Sequence, residues 1–197
     1  MQRYFIIYKP YLVISQFTAP ETQQHTTLKD VFDVPRDVYP VGRLDSDSEG
    51  LLLLTDDASL NHRLLHPSFR HRRTYLAQVE GIVSKESLTR LADGVQISVN
   101  GKAYQTKHCE ASLPGTVPNV PDRDPPIRVR KEIPDTWIQL VLTEGKNRQV
   151  RKMTAAAGHP TLRLIRTAIE DLSLDSLQPG DLRELSQKIV YQKLFHE

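Results

Sequence analysis

Four consecutive leucines, residues 51–54, are the most apolar stretch of the chain and predict a strand buried on both faces. Alternating or short apolar runs predict further strands at residues 5–8, 72–81, 137–142, 162–166 and 182–185. Apolar positions with helical spacing predict short helices at residues 27–32, 58–66 and 84–91. By itself, the pattern establishes an alternation of strands with short helices.

Turn and cap residues refine these boundaries. Asp56-Asp57 and Ser84 are expected to cap the second and third helices. Asn100-Gly101 predicts a two-residue hairpin turn after residues 95–99. Beyond Gly145 we predict another helix, capped by Asn147 and ended by residues 158–160. Residues 13–17 could extend the first strand, and the tail from Gln187 is expected to be peripheral.

Residues 113–134 contain six of the thirteen prolines and therefore predict a long connection without helix or regular strand. Connections of this length inside a compact domain are usually functional or disordered. The basic residues that would let this segment contact RNA are Arg123, Arg128, Arg130 and Lys131.

The loop before the leucines, residues 42–50, has glycine at both ends and carries one arginine and three acids. Because a buried strand follows directly, the loop should be held rigidly, as catalytic loops are. In an extended segment Arg43 and Asp45 would point to the same face, so a cation and a carboxylate could share one cleft. The alternative is an ordinary solvated acidic turn.

Composition is that of a globular protein with 39% apolar and 25% charged residues, and 197 residues fit one domain or two lobes sharing a core. No apolar run is long enough to span a bilayer, and the first ten residues do not resemble a signal peptide. The single cysteine, Cys109, excludes an intrachain disulfide and suits a reducing cytoplasm.

The net charge is only +2, but the basic residues are segregated. Residues 58–79 contain four arginines and no acid, and residues 145–169 contain six basic residues and no acid. Such segregation is typical of a face that contacts a phosphate backbone. Two helices with solvated basic faces are the alternative interpretation.

The motifs together resemble the ribosomal pseudouridine synthases of the Rsu type. The central match is Gly42-Arg43-Leu44-Asp45 with its continuation through residues 47–55. The other matches follow in order: Lys9-Pro10, the Arg73–Tyr75 spacing, residues 143–153 and residues 162–166. The resemblance implies an α+β fold with a mixed, mostly antiparallel bent sheet, short helices, and two lobes around a central catalytic cleft. It also implies one catalytic domain over residues 1–197, without an N-terminal S4 domain.

The resemblance further implies the roles of individual residues. Asp45 is the expected catalytic carboxylate, as nucleophile or as stabiliser of the opened sugar, with Arg151 paired to it and Tyr75 stacked under the uracil. Arg43 is expected where the flipped nucleotide leaves its stack. The remaining residues expected to contact the substrate are Lys9, Lys146, Arg148, Gln149 and Arg166.

We therefore expect an isomerase that converts a uridine of large-subunit rRNA to pseudouridine. The substrate is either free rRNA or a partly assembled subunit. The enzyme is expected to be a monomer that does not associate with a membrane. The rearrangement is internal, so it needs no metal, redox cofactor or ATP. A non-catalytic RNA-binding ribosome-assembly factor is the main alternative. A phosphate hydrolase that uses the acids of the central loop would need a metal, and the dispersed histidines with one cysteine make no convincing metal site. For zinc, His62 and His66 have i,i+4 spacing but no third ligand nearby in sequence. These histidines are interpreted as polar-face or RNA-facing residues.

Overall fold

The computed structural model describes residues 2–18, 25–116, 118–127 and 133–197. The strands are β1 (Tyr4–Lys9), β2 (Tyr39–Pro40), β3 (Glu49–Thr55), β4 (Arg73–Glu80), β5 (Gln96–Val99), β6 (Lys102–Gln105), β7 (Glu110–Ser112), β8 (Asp135–Leu142), β9 (Thr161–Ile169), β10 (Leu172–Ser173) and β11 (Leu182–Leu185). The helices are α1 (Leu28–Val31), α2 (Ala58–Leu65), α3 (Lys85–Asp93), α4 (Gln149–Ala156) and α5 (Gln187–Phe195).

The chain forms two compact units: unit 1 holds residues 1–71 and 165–197, and unit 2 holds residues 72–164. Among the described residues, no helix is long and apolar enough to cross a membrane.

Unit 1 is built on β3, the strand of leucines. β1 pairs antiparallel with β3 on one side and with β11 on the other, and β2 also pairs antiparallel with β3. The C-terminal half of β9 pairs parallel with the start of β3. Leu52 and Leu54 pack in a cluster with Leu28 and Phe32, while the alternate leucines are equally buried. The prediction of a strand covered on both faces is therefore confirmed.

Two elements of unit 1 differ from the prediction. The tail forms α5, whose Val190 and Leu194 are buried. The hydroxyl of Tyr191 donates to the carboxylate of Asp57 at 2.8 Å, so the tail is part of the unit rather than peripheral. Residues 13–17 do not form a strand; Val13 makes only an isolated bridge to Thr26.

Unit 2 is organised around β4, which pairs antiparallel with β8 along its whole length, and β7 pairs antiparallel with β8. One face of these strands packs against Leu91 of α3 and Met153 of α4. β5 and β6 form the predicted hairpin, with Asn100 and Gly101 at positive φ as a two-residue turn requires.

The predicted α+β class, with a mixed and mostly antiparallel sheet and short helices, is confirmed. The cleft between two lobes stays a prediction. Within 113–134, the described residues form neither helix nor strand, and residues 117 and 128–132 lie outside the described part of the chain. Three of the four predicted RNA contacts, Arg128, Arg130 and Lys131, are among them, and Arg123 is described.

Candidate active site

The loop predicted to carry the catalytic carboxylate, residues 42–48, lies in unit 1 and leads into β3. Arg43 is exposed, Leu44 is buried and Asp45 is half-buried, which is the alternation of an extended segment. The amide of Ser48 donates to the carbonyl of Asp45 at 3.0 Å and closes a turn. The loop thus leaves Asp45 partly accessible and buries the residue before it.

Ser15 holds the backbone of the residue before Asp45 from both sides. Its hydroxyl donates to the carbonyl of Leu44 at 2.8 Å and accepts from the amide of Leu44 at 3.0 Å. Ser15 is 4% exposed, so these bonds are shielded from water. A buried hydroxyl bonded at both its donor and acceptor sites fixes the peptide groups on either side of Leu44.

Lys9 lies beneath the same loop and is fully buried. Its ammonium donates to the carbonyls of Pro10 at 2.8 Å and Val13 at 2.6 Å, and more weakly to that of Ser46 at 3.4 Å. The amide of Leu12 donates to the same Ser46 carbonyl at 2.8 Å. The residue predicted to contact a phosphate therefore supports the loop from inside the unit.

The charges around Lys9 explain how a lysine can be buried there. Burial lowers the pKa of Lys9 to about 8, and the carboxylates of Glu49, Asp47 and Asp45 oppose that shift. The cation of Arg166 lowers the pKa further. Glu49 and Arg166 are themselves almost fully buried, so a group of ionisable side chains packs directly below the loop.

Gly50 ends the loop at a point where backbones approach closely. It has φ of 108°, and a Cβ added there would lie 2.3 Å from the carbonyl oxygen of Arg166. Arg166, another predicted substrate contact, is 4% exposed and donates from Nε to the carbonyl of Leu51 at 2.9 Å. It therefore ties β9 to β3 at the start of the leucine strand.

The other predicted catalytic residues, Tyr75 and Arg151, lie in unit 2. Tyr75 is on β4 opposite Leu140 and packs, half-buried, against the core of the unit. Arg151 is in the first turn of α4, half-buried, and one guanidinium nitrogen donates to the carbonyl of Thr161 at 3.3 Å. Because Asp45 belongs to unit 1, its pairing with Arg151 stays a prediction.

Glu144 fixes the loop that precedes α4. It accepts hydrogen bonds from the Tyr104 hydroxyl at 2.5 Å, the Lys107 amide at 2.9 Å and the Gln149 side chain at 2.6 Å. Burial alone would raise the pKa of Glu144, but these hydrogen bonds outweigh it and hold the pKa below its usual range. Gln149 is 5% exposed and also accepts from the Lys146 amide at 2.9 Å.

Two cations of this loop are accessible. Lys146 is exposed and its ammonium lies 4.8 Å from the centre of the Tyr104 ring. Arg148 is exposed and adopts the left-handed backbone region at φ of 49°. Arg148, rather than the predicted Asn147, is the N-cap residue of α4, and no side chain caps the helix.

Two residues that hold the site were missed from sequence. Ser15 lies in a segment predicted to extend the first strand, and its sequence neighbours do not indicate the two buried bonds to Leu44. The role of Glu144 has no local sequence signal, because its partners Tyr104 and Lys107 are distant in sequence.

In the described part of the chain, no group of three His, Cys, Asp or Glu side chains could hold a metal ion.

Comparison with known proteins agrees with the motifs. The sequence profile of the RNA pseudouridylate synthase family matches residues 3–156. The ribosomal large subunit pseudouridine synthase E of Xanthomonas axonopodis pv. citri is 49% identical over 174 residues, covering 88% of this chain and 89% of the relative. The synthase E of Vibrio parahaemolyticus is 40% identical, covering 93% of this chain and 74% of the relative.

The fold is similar to that of a crystal structure of a pseudouridylate synthase. The TM-score is 0.78 at 28% identity, and the match covers 98% of this chain and 74% of that one. Two stretches of this sequence, residues 125–128 and 144–153, also resemble the large-subunit synthase E among the Rsu-type enzymes, in agreement with the relatives found.

Proposed function

The chain belongs to the RNA pseudouridylate synthase family, and we propose that it isomerises a specific uridine of large-subunit (23S) ribosomal RNA to pseudouridine. The observation that carries this proposal is the 40–49% identity to synthases named for the large ribosomal subunit, over 88–93% of this chain. The loop around Asp45 is held by hydrogen bonds from Ser15 and Lys9, which is consistent with this proposal because catalysis requires a carboxylate held in one position.

The reaction breaks the bond between N1 of uracil and C1′ of ribose, turns the base, and joins C5 to C1′. The proton on C5 is lost and N1 gains one, so no atom is gained or lost overall. We assign the carboxylate role to Asp45, as nucleophile or as stabiliser of the opened sugar. Ser15 and Lys9 hold the backbone on either side of it, which limits the positions its carboxylate can occupy.

Tyr75 and Arg151 complete the proposed catalytic group. Tyr75 would stack under the uracil and move a proton at the sugar. Arg151 would pair with Asp45, which would keep the carboxylate ionised and oriented. Arg151 is at the N-terminal end of α4, where the helix dipole also favours a carboxylate.

Contacts with RNA are assigned to the accessible cations. Arg43 is exposed beside Asp45 and would fill the gap left by the flipped nucleotide. Lys146 and Arg148 are exposed and would contact phosphates. Lys9, Gln149 and Arg166 are almost fully buried, and we reassign them from substrate contacts to support of the two loops.

We place the reaction in the cytoplasm and expect a monomer to act on rRNA, either free or within a partly assembled subunit. Activity measured on naked 23S transcript and on assembly intermediates would separate the two substrates. A non-catalytic assembly factor would bind the same RNA but leave its pseudouridine content unchanged.

The test of the proposed function is Asp45→Asn. This change removes the carboxylate charge with little change in shape, so pseudouridine formation in 23S rRNA should be abolished. The melting temperature should change little, because Asp45 is half-buried on a loop. Asp47→Asn, two residues away in the same loop, should retain activity. Turnover by the Asp45→Asn protein would remove Asp45 from the chemistry, and an inactive wild-type protein would favour the assembly factor.

A further inference from the structure

An exposed surface in unit 1, which we call the Phe69 surface, is formed by the last residue of α2 and the five residues after it, residues 65–70. All six residues are exposed. Leu65 and Phe69 are 42% and 51% exposed, which is unusual for large apolar side chains. Neither side chain contributes to the buried core of unit 1. The surface therefore presents apolar and aromatic atoms to a ligand.

Neighbouring rings and the local backbone orient the Phe69 ring but leave about half of it exposed to solvent. It ends a 3₁₀ turn, Pro67–Phe69, and is followed by Arg70 in the left-handed backbone region at φ of 52°. The His66 ring lies 5.9 Å away and nearly perpendicular, and the His71 ring lies 6.1 Å away and nearly parallel. Half of the Phe69 side chain stays accessible between these supports, so its orientation is set before a ligand arrives.

The charge around this ring favours an anionic ligand. Within unit 1, residues 58–71 contain Arg63 and Arg70 and no acid. Glu170 bonds to His71 at 3.0 Å, and Glu197 binds the Arg63 guanidinium by two hydrogen bonds, so these carboxylates are engaged and Arg70 is the arginine left beside the ring. Arg70 is exposed next to the ring. Single-stranded nucleic acid stacks on exposed aromatic rings that lie beside basic side chains.

The Phe69 surface also adjoins the proposed catalytic loop. A Cβ added to Gly42 would lie 3.0 Å from Cδ2 of Leu65, so the end of α2 touches the base of that loop. Gly42 is three residues before Asp45. A nucleotide close in sequence to the target uridine could therefore reach this surface.

We propose that the Phe69 surface is a subsite for an unpaired base that flanks the target uridine, with the base stacked on Phe69 and its phosphate near Arg70. This inference rests on the proposed function and adds a recognition element outside the catalytic group. Stacking tolerates any base, so the subsite selects unpaired RNA rather than a particular sequence.

The experiment compares Phe69→Ala with Phe69→Trp, using 23S transcript as the probe. Phe69→Ala should weaken RNA binding and raise KM by roughly 5- to 100-fold, with a smaller effect on kcat. The slope of log affinity against log salt should stay as in the wild type, whereas Arg70→Gln should reduce it by roughly one. Phe69→Trp should restore binding. Because the chain has one tryptophan, Trp137, the added indole should report RNA stacking as new fluorescence quenching.

The matched control is Ile82→Ala, which removes another exposed apolar side chain, 78% exposed, in unit 2. It should bind RNA like the wild type. The proposal is overturned if Phe69→Ala binds normally, if Ile82→Ala loses as much affinity, or if RNA leaves the added indole unquenched. A dimer lost on Phe69→Ala would instead make this surface a protein interface and also overturn it. If the wild type binds RNA but makes no pseudouridine, while RNA quenches the added indole of Phe69→Trp, the proposed function alone is refuted.

Discussion

At the scale of single residues, the hydroxyl of Ser15 controls the backbone that carries Asp45. Ser15→Ala would leave both the amide and the carbonyl of Leu44 without that partner in a buried place, which costs about 1–3 kcal/mol of stability. A shift of the carboxylate by even ~1 Å can lower the rate about 100-fold. We therefore predict that kcat falls by roughly 10- to 100-fold while KM for RNA changes little, as measured by steady-state kinetics beside thermal unfolding.

A neighbouring serine supplies the control for this prediction. Ser46 contributes its backbone carbonyl to the contacts with Leu12 and Lys9, so Ser46→Ala preserves them. Its kcat should stay close to that of the wild type. A Ser15→Ala enzyme that unfolds earlier but keeps its kcat would show that Ser15 stabilises the unit without positioning Asp45.

At the scale of elements, the parallel contact between β3 and β9 depends on Gly50. Gly50→Ala would place a methyl group against the Arg166 backbone and force an L residue to φ of 108°, so the unit should lose about 3 kcal/mol of unfolding free energy. Gly145→Ala is the control, because among the described residues no atom outside its chain neighbours lies within 4 Å of the added Cβ, and about 0.5 kcal/mol or less is expected. Urea denaturation measures both, and equal midpoints would contradict the prediction.

Elements whose signals are local were predicted from sequence, and elements set by tertiary contacts were not. The Asn100-Gly101 turn and the caps at Asp57 and Ser84 depend on residues within a few positions, and the structure confirms all three. Asn147 had the right residue type for a cap, but the loop before α4 is fixed by Glu144 instead.

The C-terminal tail and the buried cations also depend on tertiary contacts that the sequence does not reveal. Ser186 is a good N-cap, yet α5 gains its stability from packing of Val190 and from the Tyr191 bond to Asp57, a residue distant in sequence. The motif match identified Lys9 and Arg166 as important but not as buried, because a sequence pattern does not reveal which way a long side chain points. Their support of the loop is visible only in the structure.

At the scale of the whole molecule, the proposed catalytic group is divided between the two units. Asp45 and Arg43 belong to unit 1, whereas Tyr75 and Arg151 belong to unit 2. The basic segment of residues 58–79 also begins in unit 1 and ends in unit 2. The proposed reaction requires residues of both units to act on one uridine, so each unit alone should be inactive.

The proposed pairing of Arg151 with Asp45 tests this joint action directly. Arg151→Ala removes the cation and should lower the single-turnover rate by several orders of magnitude. Lys152→Ala is the matched control, because Lys152 is equally half-buried, points about 100° away around α4, and bonds to Asn147 instead. Its rate should stay close to that of the wild type.

Arg151→Lys keeps the charge but loses the two-pronged geometry of a guanidinium, so its rate should fall between those of Arg151→Ala and the wild type. RNA affinity should change little in all three variants, because Arg151 acts on the carboxylate rather than on phosphates. Replacing Arg151 also removes its bond to the Thr161 carbonyl, so thermal unfolding of each variant measures any loss of stability separately from the loss of rate. Equal single-turnover rates for Arg151→Ala and Lys152→Ala would exclude Arg151 from the catalytic group and leave Asp45 to be oriented by unit 1 alone.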